Sequence, residues 1–398
     1  MKYDFDKPVN RKGTYSLKWD GGEFLKSMGL TDRFDDETIP LFTADMDFQC
    51  SQAILDGFHT LIDKHKMFGY SSQACEPAYY EAIVQWFEKK HGWHIKPNEI
   101  IYVNGTVTAF KQAILTYTKP GEGVIIQPPV YSPFASTIET TGRVLIKNRL
   151  ISKDGYYTMD FVDLEEKAAD PNTRMLILCS PHNPVGRVWS PEELIRLSNI
   201  CEENDVLIVT DEIHSDLLRK DVKFTPLAKV TDYNKLITLT AINKTFNLAG
   251  LHCSNAIIKD EELRRMYVKN LGWVMPTPFA INALITAYTV DDGWLKQVND
   301  YIDGNIDWLL NFFTEKMPKV KCRRPEGTYI LWMDFREYGL SAEEIHDRIY
   351  RQANVVLEGG LMFDSEQGAG FERVCVPTPR PILQEAFFRI AKAFEDIT

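Results

Sequence analysis

The feature that most constrains this chain is a recurrence through its middle: short apolar runs separated by stretches of helical period. Six such runs cover residues 100–103, 123–127, 175–179, 206–210, 236–240 and 254–258. Most are β-branched and apolar at consecutive positions, so both faces must be covered, as in strands buried inside a parallel sheet. One intervening helix is signposted. Ser190 is followed by Pro191 at the first helical position and by Glu193 three residues on, a capping box. Strand–helix alternation of this kind predicts an α/β fold with a mostly parallel, doubly wound sheet.

The flanks read differently. Residues before about 50 are irregular and polar. After 290 come a long helical stretch (291–317), an alternating segment (327–334), a second capping box from Ser341 to Glu344, and a helical pattern from Pro381. At 398 residues the chain exceeds one ordinary core. The expected organisation is a large domain over 50–290, a smaller α+β domain over 291–398, and an N-terminal segment, 1–49, that joins the smaller domain.

Composition sets the function classes. With 44% hydrophobic and 25% charged residues the chain is globular rather than disordered or fibrous. A net charge of −11 opposes nucleic-acid binding. The seven cysteines are scattered with no CxxC pair, which argues against a disulfide framework or a thiolate zinc site. His91-Gly-Trp-His94 has no third ligand close in sequence and reads as a turn, so no metal is expected. Met1-Lys-Tyr-Asp-Phe-Asp6 has no apolar run behind its charges, and the oily region 275–290 is broken by Pro276 and Pro278. Neither a signal peptide nor a membrane span is expected, and a cytoplasmic location is.

In an open parallel sheet, ligands bind beyond the carboxyl ends of the strands, so the loops there carry the information. After the first run comes Asn104-Gly-Thr-Val-Thr108, a small-residue loop entering a helix. Its free N–H groups suit an anion such as phosphate, and equally a plain turn. Ser180-Pro-His-Asn-Pro-Val-Gly186 holds Asn183 out of the helical region, where its amide can face a pocket; a tight Pro/Gly turn has the same composition. Asp211-Glu-Ile-His214 ends a buried strand on a carboxylate, which must either meet donors or a cation or cap a following helix. No GxxxxGK[ST] occurs, which removes a P-loop ATPase. Lys244, in Ala241-Ile-Asn-Lys-Thr-Phe-Asn-Leu-Ala-Gly250, lies amid apolar neighbours that would depress its pKa and make it nucleophilic toward a carbonyl; a lone lysine is more commonly a solvated surface charge.

A phosphate cradle, an amide, a buried carboxylate and a Schiff-base lysine are what pyridoxal phosphate requires. Their order and spacing, with a late arginine in Gly370-Phe-Glu-Arg373, resemble the fold-type I, aspartate aminotransferase-like enzymes over nearly the whole chain. More narrowly, Arg11-Lys-Gly-Thr14, Lys18-Trp-Asp20, Ala44-Asp-Met-Asp-Phe48, Asp211-Glu-Ile-His-Ser-Asp216 and Lys244-Thr-Phe-Asn-Leu-Ala-Gly-Leu251 resemble the MalY/PatB group of cystathionine, or cysteine-S-conjugate, β-lyases.

The resemblance implies roles. Lys244 would bond the cofactor aldehyde and move the substrate's α-proton. Asp211 would keep the ring nitrogen protonated, and Asn183 and His214 would lie near the ring's 3-oxygen. Tyr131 would stack on the ring, while Gly105, Thr106 and Val107 would contact phosphate. Tyr70 would reach the phosphate of a neighbouring subunit, implying a homodimer with shared sites. Arg373, with Asn183 and Tyr131, would bind an amino-acid substrate through its α-carboxylate, Arg380 being the rival for that role. The group's reaction releases a thiol, pyruvate and ammonia; from cystathionine the thiol is homocysteine, which points to methionine biosynthesis.

Two positions depart from related enzymes: Ala241 stands where a phosphate-binding serine is common, and His252 where an arginine is. Asn243 and the helix dipole are the expected compensation. The alternatives are an aminotransferase using the same residues and a non-catalytic binding module on the same fold.

Overall fold

The computed structural model describes residues 1–66 and 68–397. Its centre is a seven-stranded sheet of β1 (Ile100–Asn104), β2 (Gly123–Ile126), β3 (Val144–Lys147), β4 (Thr173–Cys179), β5 (Leu207–Asp211), β6 (Leu236–Ala241) and β7 (Cys253–Ile257). The spatial order is β1-β7-β6-β5-β4-β2-β3. β2, β5, β6 and β7 are buried at every residue, which is why their sequences run apolar without alternation.

The expected parallel sheet holds for six strands. β7 instead runs antiparallel to both neighbours, with Cys253 opposite Asn104 and Ser254 opposite Ala241. β3 was not anticipated. It is an edge strand, half-exposed, whose short run Val144-Leu-Ile ends on Lys147. Two apolar clusters cover the faces, one built around Phe110, Phe134 and Tyr267 and the other around Trp189, Leu194 and Leu197.

Both capping boxes form. Ser190 Oγ accepts from Glu193 N at 3.2 Å and Glu193 Oε2 accepts from Ser190 N at 2.8 Å, opening the helix Pro191–Glu203. Ser341 and Glu344 do the same for Ala342–His346. The long helical stretch forms as Trp294–Lys316 and the last one as Arg380–Ala393. The segment read as alternating becomes the strand Ile330–Asp334, buried at its first four residues because both its faces are covered. It pairs antiparallel with Phe371–Cys375 in a four-stranded sheet. Ile39–Pro40 pairs parallel with Val355–Val356 in a separate two-stranded sheet, and Cys375 N donates to Leu41 O at 2.9 Å, tying the N-terminal residues to the four-stranded sheet. Among the described residues, no helix is long and apolar enough to cross a membrane.

Replacing Ser190 by alanine removes one half of a capping box on a core helix and should cost about 1 kcal/mol. Chemical denaturation of Ser190→Ala against the parent checks this, and an unchanged midpoint would refute the assignment of the cap.

Candidate active site

The carboxyl ends of β1, β4, β5 and β6 share one edge of the sheet, and the residues singled out from sequence lie there. At the end of β1, Gly105 takes φ +90°, a conformation costly for any residue with a Cβ, and starts the helix Thr106–Tyr117. Thr106 and Val107 are therefore first-turn residues, whose N–H groups have no intrahelical acceptor. A Cβ at Gly105 would lie 3.8 Å from His252 Nδ1, so the imidazole borders this cradle. Asn243 does not: its amide nitrogen donates to Cys253 O and Leu248 O at 3.2 and 3.3 Å, and is committed to its own loop. The compensation expected of Asn243 is thus absent, and His252 is the side chain at hand.

Beyond β4, Asn183 is buried rather than displayed on a turn. Its Oδ1 accepts from Arg373 Nη1 at 3.0 Å. The neighbouring His182 is buried with Nε2 2.9 Å from Pro129 O, and burial lowers its pKa to about 4, so it ties two loops together as a neutral ring. That tie positions Tyr131, half-buried and edge-on to Phe134 at 5.8 Å; burial first, then the charge of Asp211, pushes its hydroxyl up to about 12.

Asp211 is the last residue of β5 and caps no helix, since a turn follows it. Its carboxylate is buried with one long hydrogen bond, from Ile213 N at 3.4 Å. Burial raises its pKa to about 7, partly offset by that N–H and by Lys244. His214 is buried edge-on to Tyr329 at 5.8 Å, and its Nδ1 has no partner among the described residues. Burial, then the charges of Lys244 and Arg373, hold it well below the usual imidazole range.

Lys244 follows β6, half-buried, with Nζ donating to Ala44 O at 2.7 Å. Burial lowers its pKa; the negative charge of Asp45 is the largest opposing influence, with Cys375 and Asp211 acting the same way and Arg373 adding to the depression. The Ala44 carbonyl is fixed from both sides. Asn247 Nδ2 donates to Met46 O and Phe48 O at 3.1 Å each and its Oδ1 accepts from Met46 N at 3.1 Å. Asp47 accepts from Lys18 at 2.6 Å, Trp19 at 2.8 Å and Arg11 at 2.9 Å. The motif strings near the N-terminus and the lysine loop are therefore one docked assembly.

Arg373 is buried, with Nε 2.9 Å from Glu358 Oε2, and Nη2 on the same oxygen. Arg380 points elsewhere: its Nε meets Asn305 at 2.5 Å and its guanidinium lies over Tyr301, which removes it as the rival. Tyr70 is away from this cluster, 97% exposed. His91, read as part of a turn, ends the helix Pro77–His91, buried against Asp216 at 3.2 Å. Glu358 and Asn247 had been given no role in the sequence reading. Asn247 lies within the motif Lys244–Leu251, but Glu358 carries no local signal, because it meets Arg373 only through pairing of Glu358–Gly359 with Phe371–Cys375.

The aminotransferase class I and II model matches residues 37–387. The chain belongs to that family. It is similar to cystathionine beta-lyase PatB of Bacillus subtilis (strain 168), 39% identical over 98% of this chain and 99% of the relative. Among solved structures of the family's fold it is similar to cystalysin from Treponema denticola, which contains a pyridoxal 5'-phosphate cofactor (TM-score 0.94, 34% identity, 100% of both chains). It is also similar to the PLP-bound C-S lyase from Staphylococcus hominis (TM-score 0.90, 30% identity, 99% and 98%).

The Asp211 shift has a consequence for the cofactor-free protein. A carboxyl raised from 3.8 to about 7 contributes stability that is complete below pH 4 and lost as pH rises through 7. Asp211→Asn should therefore raise the melting temperature of cofactor-free protein at pH 8 and leave it nearly unchanged at pH 4. Equal shifts at both pH values would count against the buried, weakly partnered carboxylate.

Asp47→Ala strands Lys18, which is fully buried, without its counter-ion. A loss of roughly 3–5 kcal/mol is expected in denaturant titration; a change under 1 kcal/mol would contradict the pairing.

Proposed function

We propose that this family member is a pyridoxal phosphate-dependent C–S β-lyase that cleaves L-cystathionine or related cysteine S-conjugates to a thiol, pyruvate and ammonia. The reading from sequence and the activities of the relatives agree on this. The observation that carries it is the meeting of Lys244, Asp211 and Asn183 at the ends of adjacent strands, beside the buried Arg373.

The residues fit the cofactor on their own chemistry. The Asp211 carboxylate is buried with little hydrogen bonding, and a positively charged ring nitrogen supplies the compensation such burial demands. The helix start at Gly105, Thr106 and Val107 offers N–H groups and a positive dipole end to phosphate, with the His252 ring beside it. Tyr131 would lie against the ring face, and Asn183 and His214 near the ring oxygen. Bound pyridoxal phosphate supplies an electron sink for the pair released from the Cα–H bond.

The chain does the rest. Arg373 grips the α-carboxylate. Lys244, its pKa lowered by burial, is neutral at lower pH than an exposed lysine and so takes up the Cα proton. Departure of the β-thiolate leaves a three-carbon fragment that hydrolyses to pyruvate and ammonia. A second copy completes the site through Tyr70; the 97% exposure of Tyr70 and 88% exposure of Trp273 support a homodimer that covers them. Seven cysteines without a disulfide fit the reducing cytoplasm.

Purified holoenzyme given L-cystathionine and no 2-oxo acid should release pyruvate and a thiol in equal amounts. Lys244→Ala should lower that rate at least about 10³-fold, the scale of losing a proton-transfer group and more, and lose the visible absorbance of the lysine-bound cofactor. Turnover that depends strictly on an added 2-oxo acid would instead make the protein an aminotransferase.

A further inference from the structure

Arginine carries five N–H donors in a fixed plane, and three of them at Arg373 are already allocated. Nε–H and one Nη2–H point to Glu358 Oε2, along one side of the guanidinium. One Nη1–H goes to Asn183 Oδ1 at 3.0 Å. Two N–H groups remain, one on each Nη, and with the side edge taken the end joining the two Nη atoms is the edge left to a carboxylate. Glu358 is itself fixed: its Oε2 also accepts from Thr43 N at 3.0 Å, one residue before the Ala44 carbonyl that receives Lys244. The pair is enclosed, with 2% and 12% of the two side chains accessible.

We propose that Glu358 is a positioning residue that fixes the rotation of the Arg373 guanidinium, and thereby sets discrimination for an α-carboxylate. This rests on the reading of Arg373 as the carboxylate-binding group. Glu358 does not touch substrate. It occupies the side edge of the arginine so that a carboxylate can bind only end-on, and its anchorage to Thr43 carries that orientation from the N-terminal segment whose next carbonyl holds Lys244. A charge-neutral pair before substrate arrives also removes the cost of leaving a lone guanidinium buried.

The test measures, on holoenzyme, the dissociation constants of L-alanine and L-alaninamide from the change in cofactor absorbance, with kcat and KM for L-cystathionine alongside. In the parent, alanine should bind more tightly than its amide. Glu358→Ala should reduce that preference about tenfold, the scale of one bidentate charged contact, and raise KM more than it lowers kcat. Glu358→Gln, which keeps an acceptor oxygen, should recover part of it. A merely structural role would lower the melting temperature and weaken both ligands alike, leaving their ratio untouched, and that result overturns the proposal. So does tighter alanine binding in Glu358→Gln, which would make Glu358 a competitor of the substrate. Arg373→Ala separates the two levels. If it abolishes the preference while Glu358→Ala does not, only the role of Glu358 fails; if the preference survives it, the carboxylate reading of Arg373 fails too.

Discussion

Asp47 is the residue on which the geometry around Lys244 depends. Its two oxygens accept from Lys18, Trp19 and Arg11, and its own N–H donates to Pro377 O at 2.8 Å. Burial alone would raise its pKa; Lys18 first, then Trp19 and Arg11, bring it below the ordinary value instead. Buried ion pairs of this kind add little net stability over an apolar packing, but they tolerate few alternative arrangements. The result is positional. Residues 44–48 are pinned to the N-terminal segment, to Pro377 and to Asn247 at once, and the Ala44 carbonyl is delivered to Lys244 Nζ.

Charge is arranged unevenly around that lysine. Arg373 has Glu358 at its side, and Arg11 has both Asp45 and Asp47. The adjacent carboxylates Asp211 and Glu212 differ from these and from each other. Glu212 accepts on Oε1 from Leu227 N at 3.0 Å and Thr210 Oγ1 at 3.2 Å, its Oε2 has no partner among the described residues, and burial lifts it to about 8. Asp211 has a single long backbone contact and faces Lys244, Tyr131 and the sheet edge. Two acids side by side in sequence thus divide into one that braces the turn and one whose charge is available to a bound cation.

What was legible in the sequence was whatever a local rule determines. Buried strands announce themselves by continuous apolar runs, and capping boxes by spacing; both Ser190–Glu193 and Ser341–Glu344 formed as read. Strand direction is not local. The 253–257 run looks like its neighbours, yet it enters the sheet from the opposite end because only the short 242–252 segment separates it from β6. A parallel return needs a crossover of a dozen or more residues. The partner of Arg373 was likewise invisible: Glu358 lies fifteen residues away, and nothing in its surroundings distinguishes it from a surface glutamate until strand pairing places it. The choice between Arg373 and Arg380 turned on register too. Arg373 sits within a buried strand beside Asn183, whereas Arg380 opens a helix and is held by Asn305 and Tyr301.

The antiparallel strand also explains how Ala241 and His252 are placed relative to the start of the helix Thr106–Tyr117. In a fully parallel sheet, the amino end of every strand would lie on the edge away from the ligand. Reversing β7 brings its amino end, Cys253, opposite Asn104 at the carboxyl end of β1. The residue before it, His252, therefore emerges beside Gly105, and its left-handed φ of +50° turns the chain there. Ala241, which ends β6, faces the same β7 through Ser254 and has no hydroxyl to offer. The topology thus places a polar side chain, His252, beside the start of the helix Thr106–Tyr117.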